Sequence, residues 1–146
     1  MVRRRNLFVI GVLVVGGALG LGFWSVETEI VPAWRIRVVD QRGGAIQGAI
    51  VRESWKNYSL ETEGHEQDLS SDENGYAVFP ARSIRSSLFS RSLALLSNLD
   101  QGVHAGWGTR AYVLAWNGTQ EGEADYRAGS ALPDTIILRP KEPRAK

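Results

Sequence analysis

The sequence predicts a mainly β fold: a small antiparallel β-sandwich with one inserted amphipathic helix, preceded by an N-terminal transmembrane helix. Three observations lead to this prediction. Short segments alternate apolar and polar residues with the period of a strand, and turn-forming residues separate them. One longer stretch has the apolar spacing of a helix. Finally, an uncharged apolar run follows three arginines at the N-terminus.

The N-terminal apolar run covers residues 7–24, which are 18 consecutive residues without a charged side chain. An α-helix of that length reaches about 27 Å, close to the thickness of the hydrocarbon core of a bilayer. Arg3, Arg4 and Arg5 precede the run, and basic flanks stay in the cytoplasm. We therefore expect residues 1–6 to be cytoplasmic. The chain from about Ser25 onward should lie on the outer side of the inner (cytoplasmic) membrane, in the periplasm or the extracellular space.

A cleaved signal peptide is the alternative for the same segment. Its cleavage site would fall among the small residues at positions 18–22, and the domain would then be secreted. The apolar part of a signal peptide usually has about 7–15 residues, so the longer run favours an uncleaved anchor. Residues 25–33 are then expected to be a linker between the anchor and the domain.

Composition limits what the exported part can be. About 120 residues follow the anchor, which is enough for one domain, and we place that domain at residues 34–139. Without the three N-terminal arginines the chain has 14 basic and 16 acidic residues, a balance that argues against nucleic acid as a partner. The chain has no cysteine. Catalytic thiols and thiolate metal sites are therefore excluded, and the domain must depend on its hydrophobic core.

The clearest strand covers residues 34–39. Its apolar side chains Trp34, Ile36 and Val38 alternate with polar ones and are predicted to point into the core. Residues 110–116 alternate in the same way and are expected to form a central strand. The other predicted strands are residues 49–55, with Ala49, Val51 and Trp55 on one face, residues 76–79, and residues 135–138.

Two segments are predicted to lack regular structure. Residues 57–74 are polar and carry six carboxylates with no lysine or arginine, which is typical of a solvated acidic loop. Residues 140–146 are expected to be a disordered tail.

The amphipathic helix is predicted at residues 83–99, with Ser83 as its N-cap. Its apolar stripe consists of Ile84, Leu88, Leu95 and Leu99. We expect this stripe to be buried against the sheet, because an exposed stripe of that size favours aggregation. The alternative is a helix on the membrane surface. The basic side chains that would help it there are Arg82, Arg85 and Arg91.

Three motifs carry a resemblance to a known family. They are VVDQRGGAIQGAIV at residues 38–51, SDENGYAVF at residues 71–79 and TIILRP at residues 135–140. Together they resemble the carboxypeptidase regulatory-like domain, a small transthyretin-like (Ig-like) β-sandwich. The matching residues are Asp40, Ile46, Gly48, Ala49, Val51, Asp72 and Gly75. The departures are Ala45 in place of the usual proline, Ser71 in place of threonine and Ala77 in place of an aromatic residue.

The resemblance implies a binding or accessory module rather than an activity, since a fold alone implies no chemistry. One enzyme of the same broad fold, a transthyretin-like hydrolase that opens hydroxyisourate, uses a first-strand His and a C-terminal Tyr-Arg-Gly-Ser. Residues 126–130 are similar to the second motif, but an alanine interrupts it and Arg37 stands near the place of the His. This hydrolase is the alternative function. Convergence of His65, His104 and Arg127 in one cleft would favour it.

Other groups with possible chemistry have simpler interpretations. His65 lies near Glu61, Glu63 and Asp68 in sequence, but the paired spacing of a zinc site is missing. Residues 72–75 have turn chemistry rather than the ligand spacing of a calcium loop. We therefore expect no catalytic residue, no metal and no other cofactor.

Among the tryptophans, Trp107 stands between two glycines and is the one expected to be exposed for binding a sugar or a peptide. The function expected from the sequence is that of a membrane-anchored, extracytoplasmic, non-catalytic binding or scaffolding module. Its partners would be the lipid bilayer and a protein or carbohydrate. A secreted sugar- or peptide-binding module is expected if the N-terminal segment is cleaved.

Overall fold

The computed structural model describes residues 16–17, 20, 22–99 and 107–141. Within these residues the fold is mainly β, as the sequence predicts. The strands are β1 (Ser25–Val31), β2 (Trp34–Val39), β3 (Ile50–Asn57), β4 (His65–Ser70), β5 (Tyr76–Phe79), β6 (Arg82–Ser87), β7 (Thr109–Asn117), β8 (Gln120–Arg127), β9 (Thr135–Ile137) and β10 (Arg139–Pro140). The helix α1 covers Leu88–Leu99.

The strands form three sheets. A five-stranded sheet has the order β10-β8-β7-β3-β4, and a three-stranded sheet has the order β5-β2-β9. The strands β1 and β6 pair with each other in an antiparallel ribbon. Most neighbours are antiparallel, but β2 and β9 are parallel, which corrects the expectation of a purely antiparallel sandwich.

One hydrophobic core contains side chains from the two larger sheets and from Ile30 and Val31, which form the base of the ribbon. The indole of Trp34 is fully buried and meets the ring of Tyr126 edge-on at 6.1 Å between centroids. Its Nε1–H donates to the carbonyl oxygen of Pro133 at 2.6 Å, so the polar atom of this buried ring has a partner. Two sheets that share one core are consistent with a β-sandwich.

The strongly alternating segments form strands as predicted. Trp34, Ile36 and Val38 of β2 are all fully buried. The strand β7 lies in the middle of the five-stranded sheet, and its buried residues are Ala111, Val113 and Ala115. The predicted strands at residues 49–55, 76–79 and 135–138 correspond to β3, β5 and β9.

Several segments that were expected to be irregular are strands. The expected linker at residues 25–33 is largely β1, and the expected acidic loop at residues 57–74 contains β4. The expected tail at residues 140–146 begins with the last residue of β10. These strands are polar because they lie at sheet edges or expose both faces, so the period-two signal of a buried face is weak.

The helix is shorter than predicted. Of its predicted apolar stripe, Ile84 packs against the core, Leu88 and Leu95 are exposed, and the side chain of Leu99 lies outside the described structure. Residues 82–87 form β6, so Ile84 belongs to a strand and Ser83 is not the N-cap. Ser87 is the N-cap instead: its Oγ accepts from the backbone N–H of Ser90, and Ser90 Oγ accepts from the backbone N–H of Ser87. Leu88 is 59% exposed and Leu95 is 39% exposed, which overturns the expected packing against the sheet.

Most of the predicted anchor at residues 7–24 lies outside the described residues. Of that segment, residues 16, 17, 20, 22 and 23 have helical backbone. Among the described residues, no helix has both the length and the apolar character needed to cross a membrane.

Two valines of the three-stranded sheet provide a matched test of the core. Val38→Ala is expected to lower the free energy of unfolding by at least about 1.5 kcal/mol, because each buried methylene contributes about 0.8 kcal/mol and a cavity adds to the loss. Val78→Ala should change it by less than about 0.5 kcal/mol, since Val78 is 58% exposed. Urea denaturation of the full chain in detergent measures both values. Equal losses in the two variants would contradict this assignment of the core.

Candidate functional site

A buried carboxylate lies on the inward face of β3. The residues of β3 alternate, so Val51, Glu53 and Trp55 share the face that points toward the core. Glu53 is fully buried, although an unpaired carboxylate is very unfavourable in such a position. The alternation of β3 therefore places an ionisable side chain in the core, where it requires a partner.

Arg82, at the start of β6, supplies that partner. Its Nε and Nη2 both donate to Glu53 Oε2, at 2.9 and 2.6 Å, and its Nη2 also donates to Gln67 Oε1 on β4. The guanidinium carbon lies 4.2 Å from the centre of the Trp55 ring, within the range of a cation–π contact. The arginine thus joins the ribbon to two strands of the five-stranded sheet.

The second oxygen of Glu53 has no partner among the described residues. Oε1 is buried without a hydrogen bond, while Oε2 receives both contacts from Arg82. Burial raises the pKa of Glu53 above its ordinary value, and the hydrogen bond and charge of Arg82 oppose that rise. Glu53 therefore holds a proton more readily than an exposed glutamate does.

Beside this pair is a cleft of ≈ 520 Å³. It is lined by Trp55, Glu61, His65, Ala81, Arg82, Ser83 and Ile84. Trp55 and His65 are opposite each other in the β3–β4 pairing, and their rings stack at 5.5 Å between centroids with an angle of 22° between planes. His65 Nε2 lies 2.7 Å from Glu61 Oε2. The cleft therefore contains an aromatic wall together with a cationic, an anionic and an imidazole group.

This arrangement suits the binding of a polar ligand. Arg82 can donate hydrogen bonds, and Glu61 can accept them. In the described part of the chain, the side-chain hydrogen bond of His65 is made with Glu61.

Of the residues considered for metal binding, Glu61, Glu63 and His65 line one depression, whereas Asp68 is paired elsewhere. His65 pairs with Glu61, but Asp68 accepts two hydrogen bonds from Arg52, at 2.7 and 2.8 Å, and Arg52 also contacts Glu66. These hydrogen bonds lower the pKa of Asp68. Within the described residues no group of three or more His, Cys, Asp or Glu side chains is placed to hold a metal ion.

The first two residues of the hydrolase-like motif face opposite sides of β8. Tyr126 is buried against Trp34 in the core, whereas the neighbouring Arg127 is exposed on the other face of β8. Ser130 closes the following turn, where its Oγ donates to the carbonyl oxygen of Arg127 at 2.8 Å. His104 lies outside the described residues. Tyr126 thus has a packing role, and Ser130 has a turn role.

The other singled-out residues are where their local chemistry suggests. Trp107 is 56% exposed, as predicted for a residue between two glycines. Asp72 Oδ1 accepts from the backbone N–H groups of Asn74 and Tyr76, each at 2.8 Å, so residues 72–75 form the expected turn.

Comparisons of the chain with protein-family models, with curated proteins and with solved structures give no significant match.

Glu53 and Arg82 are the site residues that the sequence reasoning missed. The signal for Glu53 was present, because a residue between the inward-facing Val51 and Trp55 in a period-two strand must face the core as well. No comparable signal exists for its partner. Arg82 directly precedes the helix predicted at residues 83–99 and lies outside every predicted strand, although the structure places it in β6. Once alternation predicts that Glu53 is buried, a basic partner for it must also be expected, but its position in the sequence is not predicted.

Removing the cation tests the buried pair. Arg82→Met is expected to lower the free energy of unfolding by about 3–5 kcal/mol at neutral pH, because it leaves the carboxylate of Glu53 buried without its partner. The pKa of Glu53 is already above its ordinary value of 4.5, and loss of Arg82 raises it further. The folded state then holds the proton more tightly than the unfolded state. The loss should therefore be smallest below about pH 4.5 and should grow as the pH rises through the folded-state pKa.

Urea denaturation at several pH values measures this effect, and two variants control it. Arg85 is exposed on the same strand, so Arg85→Met should change the free energy of unfolding by less than about 0.5 kcal/mol. When Glu53→Gln is added to Arg82→Met, the pH dependence should disappear, because an amide does not ionise. A loss in Arg82→Met that does not vary with pH would show that Glu53 is not the group left unpaired.

Proposed function

We propose that this chain is a single-pass membrane protein whose β domain lies outside the cytoplasm and acts as a non-catalytic binding or scaffolding module. The observation that carries this proposal is the apolar run at residues 7–24 behind three arginines, which leads directly into β1 of the folded domain. A charge-free segment of bilayer length with basic residues on one side is the sequence pattern of an anchor with a cytoplasmic N-terminus.

We further propose that the domain is a transthyretin-like sandwich of the carboxypeptidase regulatory-like kind. Two residues of the resembling motifs support this assignment because they have the structural roles that turns require. Gly75 has a φ of +80°, and an added Cβ would lie 2.6 Å from the carbonyl oxygen of Val38. Asp40 Oδ1 accepts from the backbone N–H groups of Arg42 and Gly44, each at 2.8 Å.

The cleft beside Arg82 is the surface that we propose for binding, and a peptide segment of a partner protein is the ligand class it favours. His65 stacks on the ring of Trp55 and Arg82 lies over the same ring, so little aromatic face is left for a sugar. Groups of both charges line the cleft, and these can pair with the amides and charged side chains of a peptide.

The anchor is tested by membrane fractionation. The full chain should remain with membranes after washing at high salt and high pH, because an uncleaved span is held by the hydrophobic effect rather than by charge. Leu13→Arg combined with Val15→Arg should release it, since each charge at the centre of a span costs about 2.5–3.5 kcal/mol. Sequencing of the mature N-terminus is the complementary measurement. A start at Leu21 or Phe23 would mean that the segment is a cleaved signal peptide.

Two tryptophans provide a matched test of the cleft. Trp55 and Trp116 lie in the same sheet with an arginine over each ring, but they are on opposite faces. Short peptides with charges of both signs should change the fluorescence of the full chain saturably, and Trp55→Phe should abolish the change while Trp116→Phe preserves it. A response to neutral oligosaccharides alone would make the ligand a sugar, and equal effects of both variants would remove the cleft as the site.

A further inference from the structure

Most apolar side chains of the helix α1 are exposed, and Leu93, at the edge of the apolar face, also lines a depression together with Leu60 and Glu61. Among the side chains of α1 that the structure describes, four large apolar ones are at least half exposed: Leu88 at 59%, Phe89 at 55%, Leu93 at 50% and Leu96 at 63%. Ala94, by contrast, is 3% exposed and faces the protein. An amphipathic helix of a soluble domain ordinarily buries its apolar face, so this helix is oriented for a second apolar surface.

The exposed side chains form one continuous face. With 3.6 residues per turn, positions 88, 89, 93, 95 and 96 fall within an arc of roughly 160°, and Ser92 is the polar residue inside it. The opposite side of the helix presents Ser90, Arg91 and Ala94 to the domain. Contiguous apolar patches of this kind mark sites of contact with proteins or membranes.

Specific hydrogen bonds hold the helix in this orientation. Arg91 Nε donates to Ser86 Oγ at 3.0 Å and Arg91 Nη2 donates to Thr28 Oγ1 at 3.1 Å, which ties the helix to both strands of the ribbon. The reciprocal bonds of Ser87 and Ser90 fix its first turn directly after β6. The apolar face is therefore presented by a fixed helix.

The patch continues onto the end of the N-terminal apolar run. The rings of Phe23 and Phe89 lie 5.7 Å apart between centroids. Phe23 is 64% exposed, Trp24 is 71% exposed, and Val26 at the start of β1 is 51% exposed. Phe23 and Trp24 are the last residues of the run, so the apolar face of α1 begins where that run enters the domain.

We propose that α1 lies in the plane of the membrane surface, with Phe89, Leu93 and Leu96 inserted among the lipids beside the point where the chain leaves the bilayer. This inference rests on the proposed function, because it takes residues 7–24 to be the anchor. The lipid bilayer is the proposed occupant because the anchor crosses it and ends at Phe23, whose ring contacts Phe89 of the helix. The exposed face of α1 therefore begins at the membrane surface, whereas a protein partner would first have to bind there. Helices of this kind insert about 5–10 Å into the boundary between headgroups and acyl chains, where Trp24 is also suited to lie.

Single labels on the full chain test this proposal, because the chain has no cysteine of its own. The variants are Leu93→Cys and Leu96→Cys, with Val78→Cys as the matched control. Val78 is an apolar residue of similar exposure, on the three-stranded sheet. Each variant carries an environment-sensitive fluorophore and is reconstituted in vesicles of phosphatidylcholine and phosphatidylglycerol, with and without brominated lipid as a quencher. An alkaline wash of the same vesicles reports separately on the anchor.

The expected result is a shift of the labels at positions 93 and 96 to shorter wavelength, with quenching by brominated lipid, while the label at position 78 shows neither. If the protein withstands the wash but all three labels report water, the inference about α1 fails and the anchor stands. A shift without lipid quenching, growing with protein density, would mean that a second copy covers the helix, which also overturns the proposal. Quenched labels on protein that the wash removes would keep the helix at the membrane and reject the anchor.

Discussion

The buried ion pair between Arg82 and Glu53 is the interaction on which the arrangement of this molecule depends. The ribbon of β1 and β6 has no hydrogen-bonded neighbour strand in either larger sheet of the described structure, so side chains must fix it. One end of the ribbon is buried in the core through Ile30 and Val31. At the same end Arg82 fixes the orientation of the ribbon by donating hydrogen bonds to Glu53 and Gln67, on two strands of the five-stranded sheet. A carboxylate in this position cannot exchange its partner for water. The ribbon, and the helix attached to it, are therefore held at one angle to the sandwich.

The strands that could be predicted from the sequence are those with one buried face. In β2 and β7 apolar and polar residues alternate because successive side chains point to the core and to solvent in turn. The strand β4 shows no alternation of apolar and polar residues, because it lies at the edge of the sheet. Its pairing with β3 is made by backbone hydrogen bonds and by the Arg52–Asp68 contact. Backbone hydrogen bonding does not depend on side-chain type, so a polar edge strand resembles a loop in sequence.

The helix and the site show the same limit in different ways. The spacing of Leu88 and Leu95 correctly predicts a helix with an apolar face. Periodicity does not predict whether that face packs against the domain or against another surface. Ile84 extended that pattern by one turn, although its pairing with Thr28 places it in a strand. Glu53 was within reach of sequence reasoning through the period of β3, whereas Arg82 was not, because 29 residues separate the two in the chain.

The antiparallel ribbon relates the two proposed contact surfaces. Ser25 at the start of β1 is opposite Ser87 at the end of β6, so the anchor and α1 meet at the same end of the ribbon. Arg82 and the cleft are at the other end, since β6 runs from Arg82 to Ser87. The helix nevertheless reaches the cleft, because Leu93 and Ala94 of α1 line one depression together with Glu61 and His65, which also line the cleft. On the proposed arrangement, the peptide-binding cleft therefore lies beside the helix that meets the bilayer. A segment of a membrane-bound partner can then reach the cleft close to the membrane surface.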